Sequence, residues 1–333
     1  MASVDARPAG GDDAAGAVER SRVLALDVGG TKLAAGVVDA DGRIHSFVVA
    51  PTRAEQGAEQ ALERLFDLGR QAVSESAADW SSIEAVGIGC GGPLDPVRGV
   101  LLAPLHLPGW NDLNITGLAE QAYGRPAVLE NDATAAAAGE HRYGAGVGTR
   151  TMVYLTISTG VGGGVILDGK PYRGATGNGG ELGHVTVDCD GRVCRGCGRR
   201  GCLEAYASGT SIAERAREAG MGDVTAQDVA AAARAGDPLA TEVWEATVTA
   251  LACGLTSIVN LFEPELVVVG GGVSRAGEQL VGPVRERVAA EAVEPARSTT
   301  RIVLSALGDT VGVVGAAAIT FDRMASGLAI THG

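Results

Sequence analysis

Glycine clusters close three apolar runs of this sequence: Asp27-Val28-Gly29-Gly30-Thr31-Lys32, Ser158-Thr159-Gly160-Val161-Gly162-Gly163-Gly164, and Gly270-Gly271-Gly272. Glycine lets a backbone approach an anion closely and turn several N–H groups inward, so facing strand-turn-strand loops can grip a polyphosphate. A single cluster of this kind is more often a plain hairpin turn. Three at strand ends, the first flanked by Asp27, Thr31 and Lys32, point to a nucleotide clamp. In such a clamp Asp27 holds Mg²⁺ directly or through water, and Thr31 and backbone N–H groups address phosphate oxygens.

Phosphoryl transfer to an alcohol needs, besides the clamp, a carboxylate that accepts the hydroxyl proton. Asp132, beside Asn131 where PAVLEND meets an alanine-rich helix, is the candidate. The alternative is a helix N-cap worth about 1 kcal/mol, and the two roles are compatible. Helix N–H groups are expected to keep this carboxylate ionised. Glu181, His184 and Glu204 form a second polar group, suited to the directional hydrogen bonds by which a pocket selects a polyol. Between His184 and Cys202 lie Cys194 and Cys197, so one imidazole and three thiolates fall within short reach. That set satisfies tetrahedral Zn²⁺ with no open position, which makes the metal structural. Free thiols or a redox pair are the alternatives, and Cys189 competes with Cys194 as the remaining ligand. Zinc at His184 orients the loop bearing Glu181 and Glu204. Arg192, Arg195, Arg199 and Arg200 read as a solvated basic face.

The elements that must position these groups are legible in outline. From Arg22, an apolar strand, a Gly-Gly turn, a second strand, a polar turn and a third strand form a meander, which a dinucleotide-binding βαβ unit would not show. A helix is expected over 54–76, then the strand IEAVGIGC, the strand PAVLEND and the helix 133–142. The strand, glycine turn, strand device recurs at TMVYLTIS, TGVGGG and VILDGK. Helices are expected over 208–262, a buried strand at LVVVGGG, a helix near 276–290, the strand RIVLSAL, and a last helix, 312–326, packing back on the first domain. GVILDGKP, Gly164 to Pro171, nearly matches a P-loop, but Pro171 stands where a hydroxyl must bind Mg²⁺ and the segment is a strand ending in a turn.

With 333 residues, 46% of them apolar, 4% aromatic and 50 of them glycine, the chain has the composition of a multidomain α/β enzyme whose cores are Ala, Val and Leu. Lys and Arg total 27 against 40 Asp and Glu, a net charge of −13, which offers no general attraction to nucleic acid or membrane. No run approaches the roughly 18 apolar residues of a bilayer span, and no signal peptide is evident, so a cytoplasmic protein is expected. The expected divisions are a disordered tail over 1–20, a small domain of 21–131 plus 312–333, and a large domain over 132–311 with the zinc loop.

Glu181-Leu-Gly-His184 followed by Cys197-Gly-Arg-Arg-Gly-Cys202-Leu-Glu204 resembles the signature of the ROK family (repressors, open reading frames and sugar kinases). LALDVGGTK, PLHLPGW and LENDATAAAAGE follow in that family's order, and the resemblance runs from about Arg22 to the C-terminus. It implies an actin-like, ribonuclease H-like ATPase fold, two α/β domains around a cleft, in a homodimer or homotetramer that phosphorylates a hexose with ATP and Mg²⁺. It further implies Asp132 as the base and Gly92, Asn131, Asp132, Glu181, His184 and Glu204 at the sugar. ATP contacts fall to Asp27, Gly29, Gly30, Thr31, Lys32, Thr159, Gly160, Gly162 and Gly271, and zinc to His184, Cys194, Cys197 and Cys202. Two features depart from the family pattern. Arg195 and Gly196 both separate Cys194 from Cys197, where one residue is common, and His106 stands where family members acting on glucose often have Asn. Glucose phosphorylated at C6 is the expected reaction, with N-acetylmannosamine, N-acetylglucosamine, mannose or fructose as alternative acceptors. A sugar-responsive regulator is the other class; it needs a DNA-binding module, typically of some 60 residues or more, and about 20 precede the first strand.

Overall fold

The computed structural model describes residues 21–104 and 106–327. The tail expected over 1–20, and 328–333 of the expected small domain, lie outside the described residues.

Strands β1 (Arg22–Val28), β2 (Lys32–Asp39) and β3 (Ile44–Pro51) form the antiparallel meander. Helix α1 (Ala58–Glu75) returns the chain to β4 (Ile83–Cys90), parallel to β1. The expected start at Ala54 is a separate 3-10 turn, cut off by Gly57 at φ 97°. Short strands β5 (Leu94–Asp95), β6 (Val100–Leu101) and β7 (Leu113–Asn114) make a small sheet before α2 (Ile115–Tyr123). Strand β8 (Ala127–Asn131) joins β4 in parallel and runs straight into α3 (Asp132–Tyr143).

The second half repeats the plan. Strands β9 (Met152–Ile157), β10 (Val161–Leu167) and β11 (Lys170–Pro171) form a meander. The region expected as helical from 208 is α5 (Gly209–Glu218), α6 (Ala226–Arg234) and α7 (Pro238–Phe262), preceded by the single turn α4 (Glu204–Ala207). Strand β12 (Leu266–Gly270), helices α8 (Glu278–Glu291) and α9 (Ala296–Thr299), β13 (Arg301–Leu304) and α10 (Val311–Ala325) complete the chain. The orders are β3-β2-β1-β4-β8 and β11-β10-β9-β12-β13, one topology used twice. This doubled mixed sheet is the actin-like, ribonuclease H-like architecture.

The strands read as continuous apolar runs because both faces are covered. Leu24, Leu26 and Val28 of β1 pack with Leu65, Leu68 and Ala72 of α1, while Val23 and Ala25 turn to Val313, Ala316 and Ala317 of α10. The period of two divides one strand between two helices. The last helix thus packs back on the first sheet, as expected, and also against α3. There a side chain on Gly315 would put its Cβ 2.3 Å from the Ala135 carbonyl oxygen, so glycine is what brings these two helices together.

Two expectations need correction. Helix α7, with a mean hydropathy of 1.4, is long and apolar enough to cross a membrane by length and composition. It is instead half-buried: Val243, Leu251, Leu255 and Ile258 lie in the core of the second half. Gly162, Gly163 and Gly164 belong to β10 and not to a turn. A Cβ on Gly164 would lie 2.5 Å from the Ala133 carbonyl oxygen, and one on Gly163 2.5 Å from Leu182 Cγ. These glycines admit close neighbours; only Ser158–Gly160 form the loop.

Candidate active site

The β1–β2 and β9–β10 turns face one cleft of about 1060 Å³ between the two sheets. The first turn is closed by Gly29 N–H donating to Lys32 O at 3.0 Å, and buried Thr52 pins it through Oγ1 to Gly29 O at 2.6 Å. The second is closed by Ser158 N–H to Gly160 O at 2.8 Å and tied to the start of α5 by Gly209 N–H to Ser158 O at 2.7 Å. Gly271, at φ 86°, follows β12, where a Cβ would lie 2.5 Å from Ile157 O. All nine residues expected at the nucleotide line this cleft.

Asp27, next to last in β1, lies under the head of α10, where a Cβ on Gly312 would come within 2.3 Å of its Oδ2. Asp132 is the first residue of α3, and the N-cap is Asn131, whose Oδ1 accepts from Thr134 N–H at 3.0 Å. Capping therefore falls to Asn131, and Asp132 is released from it. Its Oδ1 accepts from Ala133 N–H at 2.8 Å while Oδ2 points toward Gly91. Enclosure in the cleft raises the Asp132 carboxyl above the ordinary carboxylate range, against the opposing pull of the Ala133 N–H and His106. The N–H groups at the head of the helix do favour the ionised form, as expected, and desolvation acts against them more strongly. Asp27 is pushed up to about 7, first by enclosure, then by neighbouring Asp132, with Lys32 opposing.

Gly92, Asn131, Glu181, His184 and Glu204 line the same cleft. Glu181 stays open, its side chain 55% exposed, with Oε2 3.9 Å from His184 Nε2. Glu204 Oε2 accepts from Val161 N–H at 3.0 Å, and its Oε1 lies 3.3 Å from Cys194 Sγ. It therefore links the cysteine loop to the second turn.

The donor atoms of His184, Cys194, Cys197 and Cys202 all lie within 4.8 Å of one another. His184 Nδ1 is 3.7 Å from Cys194 Sγ, and Cys197 Sγ is 3.5 Å from Cys202 Sγ. Tetrahedral zinc with bonds of about 2.0–2.3 Å spaces its ligands about 3.3–3.8 Å apart, and both of these separations fall in that range. Cys189 is exposed and outside the cluster. The extra residue after Cys194 is absorbed by a tight loop in which Gly198 N–H donates to Cys194 O at 2.8 Å, with Gly198 at φ 74°. Arg195, Arg199 and Arg200 are exposed and Arg192 is half-buried, and each has a partner: Arg192 pairs with Glu218 at 2.7 Å, Arg195 pairs with Glu214 of α5, and Arg199 and Arg200 donate to Thr186 Oγ1 and Gly191 O.

Sequence reasoning left His106 and Asn178 out of the site, yet both line the cleft. A Cβ on Gly30 would lie 2.7 Å from His106 Cβ, and a Cβ on Gly92 3.3 Å from Asn178 Oδ1. The signal for His106 was its departure from the family pattern; Asn178 was hidden as one polar residue in the glycine run GNGGE.

The profile of the ROK family matches residues 23–323. A glucokinase from Thermotoga maritima is 37% identical over 317 residues, 91% of this chain and 98% of that protein. The crystal structure of a ROK hexokinase from Thermus thermophilus superposes with a TM-score of 0.78 at 40% identity, covering 92% of this chain and 99% of that one. A ROK family glucokinase from Streptomyces griseus, in complex with glucose and AMPPNP, gives a TM-score of 0.78 at 35% identity over 90% and 99%.

Proposed function

The chain belongs to the ROK family and is a hexose kinase, and we propose that it phosphorylates the C6 hydroxyl of glucose from ATP with Asp132 as general base. The observation that carries this reading is the placement of Asp132: an uncapped, enclosed carboxylate at the head of α3, in the cleft faced by both glycine turns. Its raised affinity for a proton suits a group that must take one from an alcohol. Gly92, Asn131, Glu181, His184 and Glu204 are assigned to the sugar. The N–H groups of the Gly29–Gly30 and Thr159–Gly160 turns, with Thr31, Lys32, Gly162 and Gly271, are assigned to the phosphates. Asp27 is assigned to Mg²⁺, which when bound neutralises the polyphosphate. His184, Cys194, Cys197 and Cys202 would hold zinc, whose role is to fix the loop between Glu181 and Glu204. The segments 21–131 plus 312–333 and 132–311 are read as domains that close over sugar and exclude water. A cytoplasmic homodimer or homotetramer is the assembly that goes with this reading.

The test is a coupled ADP-release assay with MgATP against glucose, mannose, fructose, N-acetylmannosamine and N-acetylglucosamine, with a no-sugar control. Turnover highest on glucose supports the assignment. Turnover confined to an N-acetylated sugar keeps the mechanism and replaces the substrate, and silence on every sugar removes the kinase.

A further inference from the structure

We propose that Arg173 and Asn178 are positioning residues for the sugar: they fasten the loop bearing Glu181 to the opposite half of the cleft, so that Glu181 stands near Asn131 and Gly92 before sugar arrives. The proposal rests on the reading that Glu181 touches the sugar.

The loop leaves β11 in the second half and returns to it at the 3-10 turn Leu182–His184. It closes on itself through Gly179 N–H to Arg173 O at 2.8 Å. Between these ends it crosses to the first half. Asn178 clasps the backbone of Leu94 with both ends of its amide: Oδ1 accepts from Leu94 N–H at 3.0 Å, and Nδ2 donates to Leu94 O at 3.0 Å. Leu94 is fully buried and follows Gly92 and Pro93, so these backbone groups depend on Asn178 for partners. The second clasp is Arg173 Nε donating to Glu130 Oε2 at 2.6 Å. Glu130 is 1% exposed, and its other oxygen accepts from Asn131 N–H at 3.1 Å. A buried carboxylate needs its cationic partner, so this pair joins the loop to the strand end that carries Asn131 and Asp132.

On its other side Glu181 is followed by Leu182, buried against Gly163 of β10. Glu181 is thereby held from both halves at once. The phosphate turns lie outside this strap, and neither clasp touches them. Loosening it should cost sugar recognition and spare ATP.

The full-length protein is assayed with glucose and MgATP for Asn178→Ala, Arg173→Ala, Arg173→Lys and, as reference, Glu181→Gln. The expected result for Asn178→Ala and Arg173→Ala is a glucose KM raised about ten-fold or more, with kcat less affected. The ATP KM should stay within about two-fold, since the partners of the two clasps, Leu94 and Glu130, are not among the residues assigned to ATP. Arg173→Lys, which keeps the charge, should recover part of the loss. Should Asn178→Ala fail to fold, Asn178→Asp keeps the acceptor for Leu94 N–H and sets a charged oxygen against Leu94 O in place of the donor, and Arg173→Ala tests the other clasp independently. An unchanged glucose KM in the Asn178 and Arg173 variants, with Glu181→Gln impaired, overturns the strap alone. Glucose and ATP KM rising together also overturns it, as general loosening. An unimpaired Glu181→Gln overturns the sugar-site reading and the strap with it.

Discussion

The two halves of the cleft share a strand order and a turn, but their side chains divide the chemistry unequally. Asp27 and Thr156 occupy equivalent slots: each is the penultimate residue of the middle strand of its sheet, paired across the parallel neighbour with a glycine, Gly89 and Gly270 respectively. One slot holds a carboxylate pushed up to about 7 and the other a neutral hydroxyl. The next strand and helix repeat the asymmetry. Strand β8 delivers Asp132 into the cleft at the head of α3, whereas β13 leads to α10 through a link whose Asp309 is exposed and paired with Arg275 at 2.6 Å. The second half compensates with a device the first lacks, the cysteine loop, which reaches its turn through Glu204. A duplicated backbone thus brings two glycine turns to one cleft, and single side chains decide which half sets Asp27 and Asp132 there.

The largest expected effect breaks the first half alone. Asp132→Asn should lower kcat by about 10²–10⁴ while leaving glucose binding within a few-fold, as read by ADP release and calorimetry. Near-wild-type turnover would remove the base assignment. Next, Asp27→Asn should cost at least about 10² in kcat, and its counterpart Thr156→Ala less than about ten-fold. Equal losses would show that the halves are chemically equivalent after all.

The pH profile sharpens the same contrast. Both carboxylates have raised proton affinity, and a protonated carboxyl neither accepts a proton nor holds a cation. The kcat/KM should therefore fall as pH drops below about 7, approaching about ten-fold per pH unit, and the apparent value belongs to the pair. A flat profile between pH 5.5 and 8 contradicts it. In the second half, Cys194→Ser should lower bound zinc and raise the glucose KM by about ten-fold, checked by metal analysis beside kinetics. The smallest effect tests where the halves are alike. Gly36 and Gly164 sit at matching register, facing Ala25 and Tyr154. A Cβ on either would lie 2.5 Å from a carbonyl oxygen, of Ser46 or Ala133. Each Gly→Ala change should cost about 1–3 kcal/mol in thermal or denaturant unfolding. A marked difference between them would break the symmetry of the scaffold.

Much of the site is legible in the amino-acid sequence because it is local. The order of strand, glycine turn and strand is written in adjacent residues, and so is the strand-to-helix joint that carries Asn131 and Asp132. His184, Cys194, Cys197 and Cys202 lie close enough along the chain that short-range spacing sets their convergence. What stays open at that level is what depends on contacts between distant segments. Whether Asn131 or Asp132 caps α3 is decided by how β8 feeds the helix, and the choice between Cys194 and Cys189 by which thiol the folded loop buries. Glycines inside β10 look like those of a turn until α3 and Leu182 are laid against them. The raised proton affinity of Asp27 needs enclosure in the cleft and Asp132 beside it, two conditions that the segment around Asp27 does not contain. Arg173 and Asn178 give no local sign, because their partners Glu130 and Leu94 belong to the other half and meet them only when the two sheets close on one cleft. Desolvation and cross-cleft hydrogen bonds are properties of assembled surfaces, and only the tertiary structure brings those surfaces together.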